Sequence, residues 1–116
     1  MIKLTVEIAD NPYLLAQGLM GRHELSRDRG MLFLFPLKTA SFWGKDTYIP
    51  LDIAFVHNNE IIDIKEIVPL STRAVRSDGL CNMAIETNRG FFKANNIKVG
   101  HRIKIQDQEV TFECSE

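Results

Sequence analysis

Apolar residues in this chain come in short runs that either alternate with polar ones or fill every position, and no stretch keeps helical apolar spacing for three full turns. Such a chain is built from strands. Ile2, Leu4, Val6 and Ile8 alternate with Lys3, Thr5, Glu7 and Ala9, the period of a strand with one face in a core. Met31-Leu32-Phe33-Leu34-Phe35 is apolar throughout, which predicts a strand covered on both faces, with Pro36 ending its ladder. Residues 39–43, 51–56, 60–68 and 80–86 read as further strands, and 102–105 with 110–114 as a closing hairpin around Gln106-Asp107-Gln108. His57-Asn58-Asn59-Glu60 suits a tight turn, because asparagine tolerates positive φ.

Helical signals are few. Asp10-Asn11 supplies an N-cap, Pro12 takes a first helical position, and residues 13–17 make a short helix stopped by Gly18. Residues 87–96 read as a second short helix or helical turn. Residues 18–25 form a loop, 26–30 a polar turn, and 70–79 the longest irregular stretch. A doubly wound α/β fold needs a long helix after each strand and is excluded. The expected architecture is one domain over residues 1–116, mainly β (α+β), a bent sheet or barrel with two short helices.

At 116 residues the chain can bury a core without metals or disulfides, and 45% hydrophobic with 25% charged residues is an ordinary globular composition. Fourteen basic against fifteen acidic side chains leave no electrostatic footprint for a phosphate backbone, so nucleic acid is not an expected partner. Arg22, Arg27 and Arg29 are interrupted by Glu24 and Asp28 and read as a solvated loop. No apolar run approaches the roughly 18 residues of a membrane span, and residues 1–7 alternate where an export signal would be continuously apolar. The reading is a soluble, cytoplasmic chain with no membrane partner. Cys81 and Cys114 lack a second Cys or His at metal-ligand spacing, so no metal or other cofactor is implied; reduced, packed thiols are favoured over a disulfide.

Gly18-Leu19-Met20, Gly30-Met31-Leu32-Phe33, Phe42-Trp43 with Lys45 and Thr47, Ile49-Pro50-Leu51-Asp52-Ile53-Ala54-Phe55, and Glu86 with Gly90 occur in an order that resembles the domain-of-unknown-function 192 family, the uncharacterised ancient conserved region family. The resemblance runs from about Asn11 to Ile105. It implies a small, mainly β domain with short helices, often found behind an export signal, and it implies no agreed substrate, cofactor or catalytic residue. Where members of that family have tryptophan, methionine, lysine, asparagine, threonine, this chain has Trp43-Gly44-Lys45-Asp46-Thr47. Asp46 keeps the acceptor oxygen and loses the amide donor.

Charge set among apolar strands marks the candidate chemistry, since an ionised group without a partner is costly in an apolar surround. Trp43, Lys45, Asp46, Thr47 and Asp52 offer a stacking face, a cation, two carboxylates and a hydroxyl near one strand connection, the equipment of a small-ligand pocket. The competing reading has Asp46 and Thr47 capping turn amides and Lys45 paired with a carboxylate. Asp52, Asp46 and Glu86 are the candidate catalytic carboxylates: if Asp52 and Glu86 aim at one cleft, they form an acid–base pair. Phe33, Phe35, Phe42, Phe55 and Trp43 read as core before they read as an aromatic platform. Gly44-Lys45-Asp46-Thr47 lacks the upstream glycine of a phosphate loop, with Thr39 in its place, and no nucleophile-elbow glycines flank Ser41 or Cys81 as partners for His57 or His101. The favoured function is therefore a non-enzymatic accessory domain binding a small molecule or a protein; the alternative is a small hydrolase or lyase using paired carboxylates.

Overall fold

The computed structural model describes residues 2–113. The alternating first segment forms β1 (Ile2–Ala9), the helix after Asn11 is α1 (Pro12–Gln17), and the apolar run lies in β2 (Arg29–Lys38). There follow β3 (Ser41–Phe42), β4 (Leu51–His57), β5 (Glu60–Ile67), β6 (Val75–Arg76), β7 (Cys81–Asn88), α2 (Phe91–Ala94), β8 (Arg102–Gln106) and β9 (Glu109–Glu113). Seven strands close into a barrel in the order β1-β2-β7-β4-β5-β8-β9, with β9 pairing back onto β1. Closure removes the sheet edges. No helix among the described residues is long and apolar enough to cross a membrane.

One connection decides how the rest packs. β1 and β2 are parallel, Glu7 beside Met31 and Ala9 beside Phe33, so the chain between them must travel back along the sheet. It returns over the outside of the barrel, carrying α1 and the loop behind it. The barrel consequently has two apolar cores. Leu4, Val6, Leu32, Ala54, Val56 and Ile85 fill the interior with Phe91, Phe92 and Phe112. Met31, Phe33, Leu51, Ile53, Phe55 and Ala84 form the second, on the outer face, beneath Leu19 and partly buried Leu14 and Leu15. That double coverage explains why every residue from Leu51 to Val56 is buried.

Three expectations are corrected. Pro36 does not end its strand: four residues of β2, from Leu34 to Lys38, advance against two of β7, from Met83 to Cys81, and the proline sits exposed in that bulge, where a missing amide costs nothing. The 70–79 segment is not wholly irregular, since Val75 and Arg76 pair with Phe42 and Ser41 in a separate two-stranded sheet. The segment expected to be helical from residue 87 starts later, because Thr87 and Asn88 still pair with Asp52 and Leu51 in β4. The turn at Asn58-Asn59 is as read, with φ of 50° and 63°. Cys81 is buried; Cys114 lies outside the described residues.

Candidate functional site

Cross-strand register settles the carboxylate question. Neighbours paired across a sheet share a face. Asp52 is opposite Thr87, whereas Glu86 is opposite Ile53 and Met31. The two acids therefore point to opposite sides of the barrel wall, Asp52 inward and Glu86 outward, and the expected Asp52–Glu86 pair does not form. Asp52 has a scaffolding position: its Oδ2 accepts the Gly90 amide at 2.8 Å. Gly90 is left-handed at φ 93° and leads into α2, whose Phe91 and Phe92 close the interior core.

Glu86 faces outward into a cleft of about 610 Å³. One wall is α1 with the turn after it, including Tyr13, Leu15, Gly18, Leu19 and Met20; the other is the segment from Lys38 through Phe42 and Trp43 to Thr47. Phe33 and Glu86 lie between them. The walls are joined by the Gly21 amide donating to the Asp46 carbonyl at 2.7 Å, and by stacking of His23 on Tyr48 at 4.2 Å between ring centroids. Beyond that junction Arg22 pairs with Glu7, donating through a second guanidinium nitrogen at 2.7 Å and holding the Glu7 carboxyl below its usual range. The second wall is steadied from behind by the β3–β6 sheet. There the Ser77 hydroxyl accepts the Ala40 amide at 3.0 Å and the Ala40 carbonyl accepts the Ser77 amide at 2.9 Å.

Gly18 makes the turn that ends the first wall through its backbone conformation. Its φ of 50° with ψ of −130° is accessible to glycine alone in practice, and a Cβ there would lie 3.4 Å from the Phe33 ring and 4.0 Å from Glu86 Oε1. The loop thus roofs the acid. Glu86 is 4% exposed and makes no hydrogen bond or ion pair to the described residues. Desolvation alone pushes its pKa from 4.5 up to about 8, so the ligand-free carboxyl carries a proton at neutral pH.

Of the residues singled out from the sequence, Glu86, Trp43 and Thr47 line this cleft. Thr47 is buried, and its hydroxyl donates to the Lys45 carbonyl at 3.1 Å, an intraturn bond to a carbonyl where the competing reading had Thr47 capping a turn amide. Trp43 is 43% exposed at the cleft margin, with the Lys45 ammonium 5.3 Å from its ring centroid. Lys45 and Asp46 are exposed and outside the lining; Lys45 faces a ring where a carboxylate partner was the competing expectation. Asp46 has φ of 54°, a conformation asparagine and aspartate both tolerate, so the change from the family's asparagine suits the backbone. The aromatic residues divide: Phe55 is fully buried core, while Phe35 and Phe42 are half-buried and line the cleft. The α1 wall and Lys38 were missed, since residues 13–17 read only as a short helix and Lys38 carried no signal of its own. The Gly18-Leu19-Met20 stop was their one visible signal. Among the described residues no three His, Cys, Asp or Glu side chains converge to hold a metal ion.

Residues 2–105 match the model of the family described as "Uncharacterized ACR", domain of unknown function 192. Two solved structures share the fold. One, a "putative transcription regulator" from Sinorhizobium meliloti 1021, is 33% identical with a TM-score of 0.84, over 94% of this chain and 81% of its own. The other, a protein of unknown function from Novosphingobium aromaticivorans DSM 12444, is also 33% identical with a TM-score of 0.84, over 88% of this chain and 75% of its own. No curated protein matches the chain. A family match spanning most of the sequence, carried on the same closed barrel as these relatives, establishes that the chain belongs to the domain-of-unknown-function 192 family.

Proposed function

We propose that this protein is a non-enzymatic binding domain that takes a small, largely apolar molecule bearing one polar group into the cleft between α1 and the Trp43 segment. The observation that carries this reading is Glu86, a buried carboxyl with no partner among the described residues, set with Phe33 in a mainly apolar cleft. A protein that buries a polar group at a cost to itself is organised around what will meet it. The volume suits a small molecule, and the glycine roof leaves the acid accessible from the cleft. A mechanism with Asp52 and Glu86 as acid and base has no geometric support, because the two lie on adjacent paired strands with their side chains on opposite faces of the barrel wall. Fourteen cations against fifteen anions favour no nucleic-acid partner.

Trp43 is the sole tryptophan and stands at the margin, so its emission reports entry directly. A panel of amphipathic metabolites is expected to yield at least one compound that both changes Trp43 emission and raises the melting temperature, with both effects lost in Phe42→Ala and kept in Asp52→Asn. Stabilising compounds whose effect survives Phe42→Ala and disappears in Asp52→Asn would place the site at the α2 end and sink this reading.

A further inference from the structure

Three features of the cleft point to one chemical class of ligand. Its deep acid has no partner among the described residues; Phe33, Phe35, Phe42, Trp43 and Tyr13 line it; and two of those rings already face ammonium groups, Lys38 at 5.3 Å from the Phe35 centroid and Lys45 at 5.3 Å from that of Trp43. We infer that the ligand is a small organic cation, an amine or quaternary ammonium on an apolar body, with Glu86 as its counter-charge and the faces of Phe35, Phe42 and Trp43 around it. This rests on the binding reading above.

Ligand and proton compete for one carboxyl group. Aromatic faces attract cations, most strongly where water is excluded, and both rim rings show that preference with the chain's own lysines. An anionic ligand gains nothing from those faces, and Glu86 opposes it once ionised. A neutral ligand leaves the acid protonated and uses it as a hydrogen-bond donor. Only a cation gives the ionised carboxylate the partner it lacks, at the cost of releasing the proton to solvent. Because burial holds that proton with a pKa of about 8, cation binding is coupled to pH, whereas neutral binding weakens only as the acid ionises.

The other ionisable groups around Glu86 are few. Tyr13 and Lys38 belong to the lining, and Lys45 lies outside it over Trp43. On the same outer face of the sheet, the Glu7–Arg22 pair lies on the β1 side and Lys65, paired with Asp63 and Asp78, on the β4–β5 side. A Glu86→Gln variant retains all of these, so its residual pH dependence measures their contribution.

Benzyltrimethylammonium, which has no proton to lose, and its neutral isostere neopentylbenzene separate the possibilities by titration of Trp43 emission. In the wild-type chain the cation is expected to tighten roughly 50-fold between about pH 6 and about pH 8, following the ionised fraction of Glu86. In Glu86→Gln it should bind weakly and without that slope. The wild-type slope is decisive even if the variant folds poorly. Neopentylbenzene binding as tightly as the cation at about pH 8, or the anion phenylacetate outcompeting it, overturns the cation assignment and leaves the binding reading standing. Failure of all three probes to bind overturns both.

Discussion

Glu86→Gln at neutral pH should stabilise this protein, and the magnitude follows from where the acid sits. In the unfolded chain the carboxyl titrates at its ordinary 4.5, whereas in the fold burial raises it to about 8. Below the lower value both states hold the proton and stability is flat; between the two only the folded chain holds it; above the upper value neither does. Stability therefore falls as pH rises through that window, by about 1.4 kcal/mol per pH unit and about 5 kcal/mol in all. At pH 7 about 3 kcal/mol of that loss has accrued. Glutamine has the shape of the protonated acid and no charge to desolvate, so the variant should match wild type within about 1 kcal/mol near pH 4.5 and exceed it by about 3 kcal/mol at pH 7. Urea denaturation of both proteins at half-unit pH steps measures the difference directly, and groups such as Glu7 cancel in the subtraction. Two stability curves that run parallel from acid to alkaline pH would refute the claim that Glu86 is buried without a partner.

Three smaller perturbations test the frame around the acid. Gly44→Ala puts a Cβ 2.0 Å from the Val68 carbonyl oxygen, and the backbone shift it forces should cost about 1–3 kcal/mol in urea melts. Asp46→Asn should leave stability within about 0.5 kcal/mol, whereas Asp46→Val, β-branched at φ 54°, should cost about 1–3 kcal/mol in the same melts. Asp52→Ala removes the acceptor for the Gly90 amide and should cost about 2 kcal/mol while leaving ligand-induced changes in Trp43 emission intact.

Most of the barrel could be read from period and turn chemistry. Ile2 to Ala9 alternates because only one face of β1 packs inward, and Asn58-Asn59 forms its turn because both residues accept positive φ. The proline in β2 misled because a ladder rule applies to paired positions, and Pro36 lies in a bulge. The site was harder to read for a different reason. Alternation places Asp52 relative to Leu51 and Ile53 within one strand, but its face relative to Glu86 depends on the register between β4 and β7, which no local pattern encodes. Phe33 and Phe35 were assigned to core for being apolar, yet the parallel β1–β2 crossover lays a second layer over them and leaves a cleft along its margin. Glu86 was visible as an acid at the end of an apolar strand. That its burial comes from a glycine-roofed loop required the fold.

Amide chemical-shift mapping with benzyltrimethylammonium at about pH 8 shows whether the cleft beside Glu86 is where this protein meets its ligand. Saturable shifts are expected to concentrate at Gly18, Leu19, Phe33, Phe42, Trp43 and Glu86, leaving Asp52, Gly90 and α2 unmoved. Shifts centred on Gly90 and Phe91, or none that saturate, would contradict that expectation.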